Sequence, residues 1–111
     1  MRRSDREPLE DLSEAIATIH AHLGSQVPAY LKRDAILYNL VIVGEAVNGL
    51  AEETRTRSPD IPWKQIAGLR DLLTHERVRI DMDEIDKVVE RDLAPLADAV
   101  RTLLHKPKQR P

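Results

Sequence analysis

The stretch from about Lys32 to Leu50 constrains this chain more than any other. It is apolar over most of a helical circumference, through Ile36, Leu37, Leu40, Val41, Ile42, Val43, Val47 and Leu50. Its β-branched residues would suit a strand, but its length and lack of alternation favour a central helix. A helix with so narrow a polar face must be wrapped by others, and a small bundle does not easily cover all of it. The prediction is therefore a helical bundle that pairs with a second copy. Asn39, Glu45 and Asn48 interrupt the apolar surface. Buried polar groups need partners, so each faces an internal network, a subunit interface or a cleft.

Three further helices surround this one. In the first, Leu9, Leu12, Ile16, Ile19 and Leu23 recur at intervals of three and four. Ser4 and Glu7 have capping-box spacing at its start, and Gly24 suits its end. Residues 51–61 read as a polar connection. The third helix starts there, with Asp60 or Ile61 as cap and Pro62 in the first turn. Trp63, Ile66, Leu69 and Leu73 give it a core face. It should fray near His75, with a new capping box at Asp81–Glu84. The last helix carries Ile85, Val88, Val89, Leu93, Leu96, Val100 and Leu103, with Pro95 expected to kink it. The expected fold class is all-α, a four-to-five-helix up-and-down bundle that is homodimeric. One domain spans residues 1–104, followed by a basic, disordered tail over 105–111.

Composition narrows the function classes. With no cysteine, disulfides and Cys-ligated metal sites are excluded, which fits a reducing cytoplasm. No apolar run reaches membrane-spanning length, and the start of the chain lacks the apolar core of a secretory signal. The expectation is a soluble, cytoplasmic protein. There is no P-loop, dinucleotide turn or nucleophile elbow. His20 and His22 are two apart and cannot form a helical metal clip, so no metal site or cofactor is expected.

The net charge of −2 is unevenly spread. Residues 55–79 hold six basic residues against three acids, whereas residues 80–104 hold three against seven. The field near the middle of the chain is thus positive, the sign a phosphate backbone seeks, although such runs also serve as ordinary solvated faces. Within it, Arg70, Asp71 and His75 occupy about one and a half turns of helix. Asp71 and His75 are four apart on one face. A histidine near a helix C-terminus is favoured in its protonated form, and a carboxylate can hold its ring. A permanent cation completes a set suited to phosphodiester cleavage. The same residues equally describe a surface histidine at a helix end, with Asp71 paired to Arg70.

Several motifs together resemble a known family. They are Ala35-Ile36-Leu37-Tyr38-Asn39-Leu40, Ile42-Val43-Gly44-Glu45-Ala46, Ile61 through Asp71, Leu73-Thr74-His75, and Asp92-Leu93-Ala94-Pro95-Leu96. The combination is similar to the HepT-like ribonuclease toxins of the HEPN superfamily, over nearly the whole chain. The resemblance implies a helical homodimer with two copies of an Arg-polar-x(3)-His motif facing a shared cleft. Here that motif is Arg70, Asp71 and His75; Arg77, with Arg79 as a weaker second, is expected to bind RNA through the positive charge it adds beside the scissile phosphate. The resemblance also implies metal-independent RNA cleavage and a nucleotidyltransferase antitoxin as partner. The alternative within the same resemblance is an inactive module that docks the nucleotidyltransferase or RNA. One departure matters: the family's motif commonly continues His-x-Tyr, and that tyrosine is modified by the antitoxin. Here the position is Arg77. Tyr30 and Tyr38 remain as acceptors, with Tyr38 expected in the mostly buried helix.

Overall fold

A computed structural model describes residues 3–75 and 82–104, with side chains over 5–74 and 82–104. Among these residues all regular structure is helical. Three long helices, α1 (Arg3–Leu23), α2 (Ala29–Asn48) and α6 (Met82–Leu104), frame three short ones, α3 (Glu52–Arg55), α4 (Trp63–Ala67) and α5 (Leu69–His75). Among the described residues no helix is long and apolar enough to cross a membrane.

The apolar periodicities become the core. Leu9, Leu12, Ile16 and Ile19 of α1 are buried, as are Ile85, Leu93, Leu96, Val100 and Leu103 of α6. Helix α2 is central: α1 packs on one side of it and α4 with α5 on another, while α6 packs on α1. Ile36, Leu40, Val43 and Val47 of α2 meet these neighbours. Its outward side stays apolar and uncovered, with Tyr38 68% exposed and Leu31 48% exposed. Tyr38, expected in a mostly buried helix, is thus exposed, because no helix among the described residues covers this side. Leu23, read as part of the first core stripe, is also exposed, since it is the last residue of α1.

Three local features depart from the expectations. Helix α1 already includes Ser4, so Ser4 is not a cap, and Pro8 lies within the helix. The connection after α2 holds a short helix, α3, whose N-cap Ala51 has no capping side chain. Asp5 of α1 supplies the cap from a distance: its buried carboxylate accepts hydrogen bonds from Ala51 N at 3.0 Å and from the Thr54 hydroxyl. The third helix is split at Gly68 into α4 and α5, and Pro62 is the residue before α4 rather than one inside it. Trp63 is core as expected. Its indole N–H also donates to the carbonyl oxygens of Arg55 and Ser58, each at 2.9 Å, which ties the connection to α4. Helix α6 runs through Pro95 without interruption. Residue Asp81 and the tail 105–111 lie outside the described residues.

Candidate functional site

The site is built where α5 crosses α2. At Gly44 the two backbones approach so closely that a Cβ would lie 2.8 Å from Arg70 N, 3.2 Å from Arg70 Cβ and 3.2 Å from Ile66 O. A residue with a side chain cannot occupy that position without moving α5, because the nearest atom belongs to backbone. The glycine thus delivers the start of α5 to the flank of Glu45.

Arg70 then lies between two acids. Its Nε donates to Glu45 Oε2 at 3.2 Å, and Nη1 donates to Asp71 Oδ1 at 3.2 Å. All three side chains are substantially exposed, so these ion pairs hold orientation more than they stabilise the fold. The hydrogen bond from Glu45, and then that from Asp71, raise the pKa of Arg70 from its already high value. Among the described residues two of the five guanidinium N–H groups are engaged, which leaves three without a partner there. Thr74 Oγ1 donates to Arg70 O at 2.7 Å further along the same helix.

The sequence-expected residues divide clearly. Arg70 and Asp71 are brought together, in the pairing that sequence reasoning held as the alternative role of Asp71. His75 is the last residue of α5, as expected for a histidine at a helix end, and shares its helix with Arg70. The His75 side chain, Arg77 and Arg79 lie outside the described residues. Glu45 was one of three polar interruptions of the apolar helix, and its partner proves to be Arg70. Asn39 instead bonds its own helix, Nδ2 to Ala35 O at 2.9 Å. Asn48 bridges helices, Nδ2 to Ala67 O at 3.4 Å. The importance of Gly44 was not legible from its residue type. Its position beside Glu45, within an otherwise bulky apolar run, was the available signal.

Comparison with known proteins points the same way as this geometry. A family model described as "Ribonuclease HepT-like" matches residues 9–103. The chain is 31% identical over 101 residues to "Probable ribonuclease HepT" of Thermococcus cleftensis, covering 86% of this chain and 92% of that protein. It is 36% identical over 74 residues to "Putative RNase TTE0752" of Caldanaerobacter subterraneus subsp. tengcongensis, covering 67% of this chain and 66% of that one. For "Putative RNase MJ1380" of Methanocaldococcus jannaschii, identity is 34% over 68 residues, 61% of this chain and 62% of the relative. No solved structure matches.

Proposed function

The chain belongs to the HepT-like ribonuclease family, and from that premise we propose that it is a metal-independent endoribonuclease acting as a homodimer. The observation that carries the reading is the Arg70 fork, fixed at the surface by Glu45 and Asp71 on the helix that ends in His75. RNA brings its own nucleophile. A histidine takes the proton of the 2′-OH, and the 2′ oxygen bonds to phosphorus. The bond to the 5′ oxygen breaks, and a second histidine returns a proton to that oxygen. The products are a 2′,3′-cyclic phosphate and a 5′-hydroxyl. Arg70 stabilises the charge that builds on the non-bridging oxygens.

Each chain offers one histidine at the motif, so the mechanism draws the second from another copy. The uncovered side of α2 supports this. Leu31 and Tyr38 are exposed and seven apart, and Glu45 follows seven later on the same face. The apolar stripe therefore runs up to the Arg70 pair, and a second copy covering it would bring two such pairs close. A nucleotidyltransferase antitoxin as partner, and with it a toxin's role in the cell, follow from the resemblance and belong to the same proposal.

The test is cleavage of single-stranded RNA by purified protein in excess chelator, with His75→Ala alongside. Loss of general acid–base catalysis should slow the variant by about 10²–10⁴-fold. Activity that disappears in chelator would overturn the metal-independent mechanism. Undiminished cleavage by the variant would remove His75 from it. An intact fold that binds RNA and never cuts would indicate the binding module instead.

A further inference from the structure

One helical turn from the Arg70–Glu45 contact, α2, α3 and α4 border an open recess of about 440 Å³, within the ~300–1,000 Å³ typical of small-ligand sites. Asn48 and Ala67 line it. Asn48 is three residues after Glu45 and Ala67 three before Arg70, and the two are joined by the Asn48 Nδ2–Ala67 O bond. The recess therefore adjoins the Arg70 site, about 4.5 Å along α2 from Glu45, a distance that one step of an RNA strand bridges.

Its lining is largely apolar, with Trp63 and Ala67 prominent, and carries two cations, Arg55 and Lys64, against the single carboxylate of Glu52. Arg55 Nε is buried and has no hydrogen-bond partner among the described residues. A buried guanidinium N–H left unpaired is costly, so it marks a place where an acceptor from outside is wanted. Lys64 is exposed and forms no ion pair among the described residues. The Trp63 N–H is already committed to two carbonyl oxygens, so the buried indole gives the recess a small apolar wall and no free donor.

We infer that this recess is a subsite for the nucleotide next to the scissile phosphate, with Arg55 and Lys64 holding its phosphate and the apolar wall receiving its base. The inference rests on the ribonuclease reading for its place in the reaction, but binding at the recess is measurable without cleavage. With apolar wall rather than hydrogen-bonding groups as the chief contact to the base, the subsite accepts all four bases within a few-fold.

Trp63 is the only tryptophan in the chain, so its fluorescence reports on the recess directly. The probes are the four nucleoside monophosphates, the parent nucleosides and inorganic phosphate. The expected result is a saturable change with every monophosphate, weakened about tenfold in Arg55→Gln and in Lys64→Ala, as for loss of one charge-assisted contact. Nucleosides and phosphate should each bind more weakly than the monophosphate. With RNA as substrate, Lys64→Ala should raise KM about tenfold and leave kcat in place.

No saturable change, or wild-type affinity in the exposed Lys64→Ala variant, overturns the subsite. Inorganic phosphate binding as tightly as the monophosphates overturns the base-receiving wall. If monophosphates bind at the recess but neither wild type nor Arg70→Ala cuts RNA, the ribonuclease reading falls and the nucleotide site stands. If RNA is cut with unchanged KM in Lys64→Ala and no monophosphate perturbs Trp63, the subsite falls and the reading stands.

Discussion

Replacing Gly44 by alanine tests whether the crossing of α2 and α5 governs the site. The new Cβ would lie 2.8 Å from Arg70 N, and ordinary contact begins at 3.4 Å, so α5 must retreat by about 0.6 Å. Overpacking of this kind costs about 1–3 kcal/mol. Alanine in a helix interior recovers about 0.5–1 kcal/mol relative to glycine. The net loss is about 0–2.5 kcal/mol, each kcal/mol lowering Tm by about 4–8 °C for a domain of about this size. The effect on activity should be larger. The same retreat stretches the Arg70 Nε–Glu45 Oε2 bond from 3.2 Å to about 3.8 Å, beyond hydrogen-bonding range. A misplacement of about 1 Å in a catalytic group can cost on the order of 100-fold, so turnover should fall about tenfold or more. Gly68→Ala is the matched control. There the added Cβ makes only ordinary contacts, at 3.4 and 3.5 Å, and φ is −70°. That variant should gain about 0.4–1 kcal/mol. The assays are thermal melts and single-turnover RNA cleavage. A Gly44→Ala protein as stable as wild type and cutting at full rate would refute the reasoning.

Asp5→Ala should cost about 2–4 kcal/mol in urea denaturation, because it leaves the Ala51 N–H and the buried Thr54 hydroxyl without their acceptor; a loss below 1 kcal/mol would mean water replaces the carboxylate. Tyr38→Glu should shift sedimentation from dimer to monomer near micromolar concentration and abolish cleavage, since Tyr38 lies on the uncovered side of α2; a monomer that still cuts RNA would contradict the shared cleft. Arg77→Ala should raise KM more than it lowers kcat and flatten the salt dependence of RNA binding by about one unit of slope or slightly less, whereas Arg70→Ala should chiefly lower kcat. Mass spectrometry after incubation with the proposed nucleotidyltransferase partner and ATP should find no AMP adduct beside His75, because Arg77 stands where the resemblance puts the acceptor; an adduct there would show that the switch survives in another form.

The helices were legible in the sequence wherever burial is set by periodicity. The stripe of α1 from Leu9 to Ile19 and that of α6 from Ile85 to Leu103 needed only spacing of three and four to be placed. What escaped was set by contacts distant along the chain. Nothing near Ala51 announces α3, because the group that caps it, Asp5, lies far back in α1. The break at Gly68 is equally quiet, since the residue keeps helical dihedral angles and still donates to Lys64 O at 3.1 Å. Tyr38, on a helix read as mostly buried, falls on the side that no described helix covers, the same apolar excess from which the sequence pointed to a second copy.

The site divides along the same physical line. The sequence shows Arg70, Asp71 and His75 on one short helix, because their spacing is local. It does not show that Glu45 reaches Arg70, because that contact depends on the distance between two helix axes, and Gly44 sets that distance. The pairing changes what the arginine is prepared to do. Without Glu45 and Asp71 its long side chain would sample many rotamers and lose that freedom only on meeting a phosphate. Held by two acceptors, the guanidinium plane is oriented beforehand, with three N–H groups left without a partner among the described residues. The acids also place two negative charges beside an approaching phosphate, so the arrangement weakens ground-state binding in favour of orientation. Such a fork is suited to charge that develops during reaction rather than to charge already present in the substrate. Arg70→Lys separates the two roles: it keeps the charge but not the planar fork, and should therefore lower kcat while KM holds.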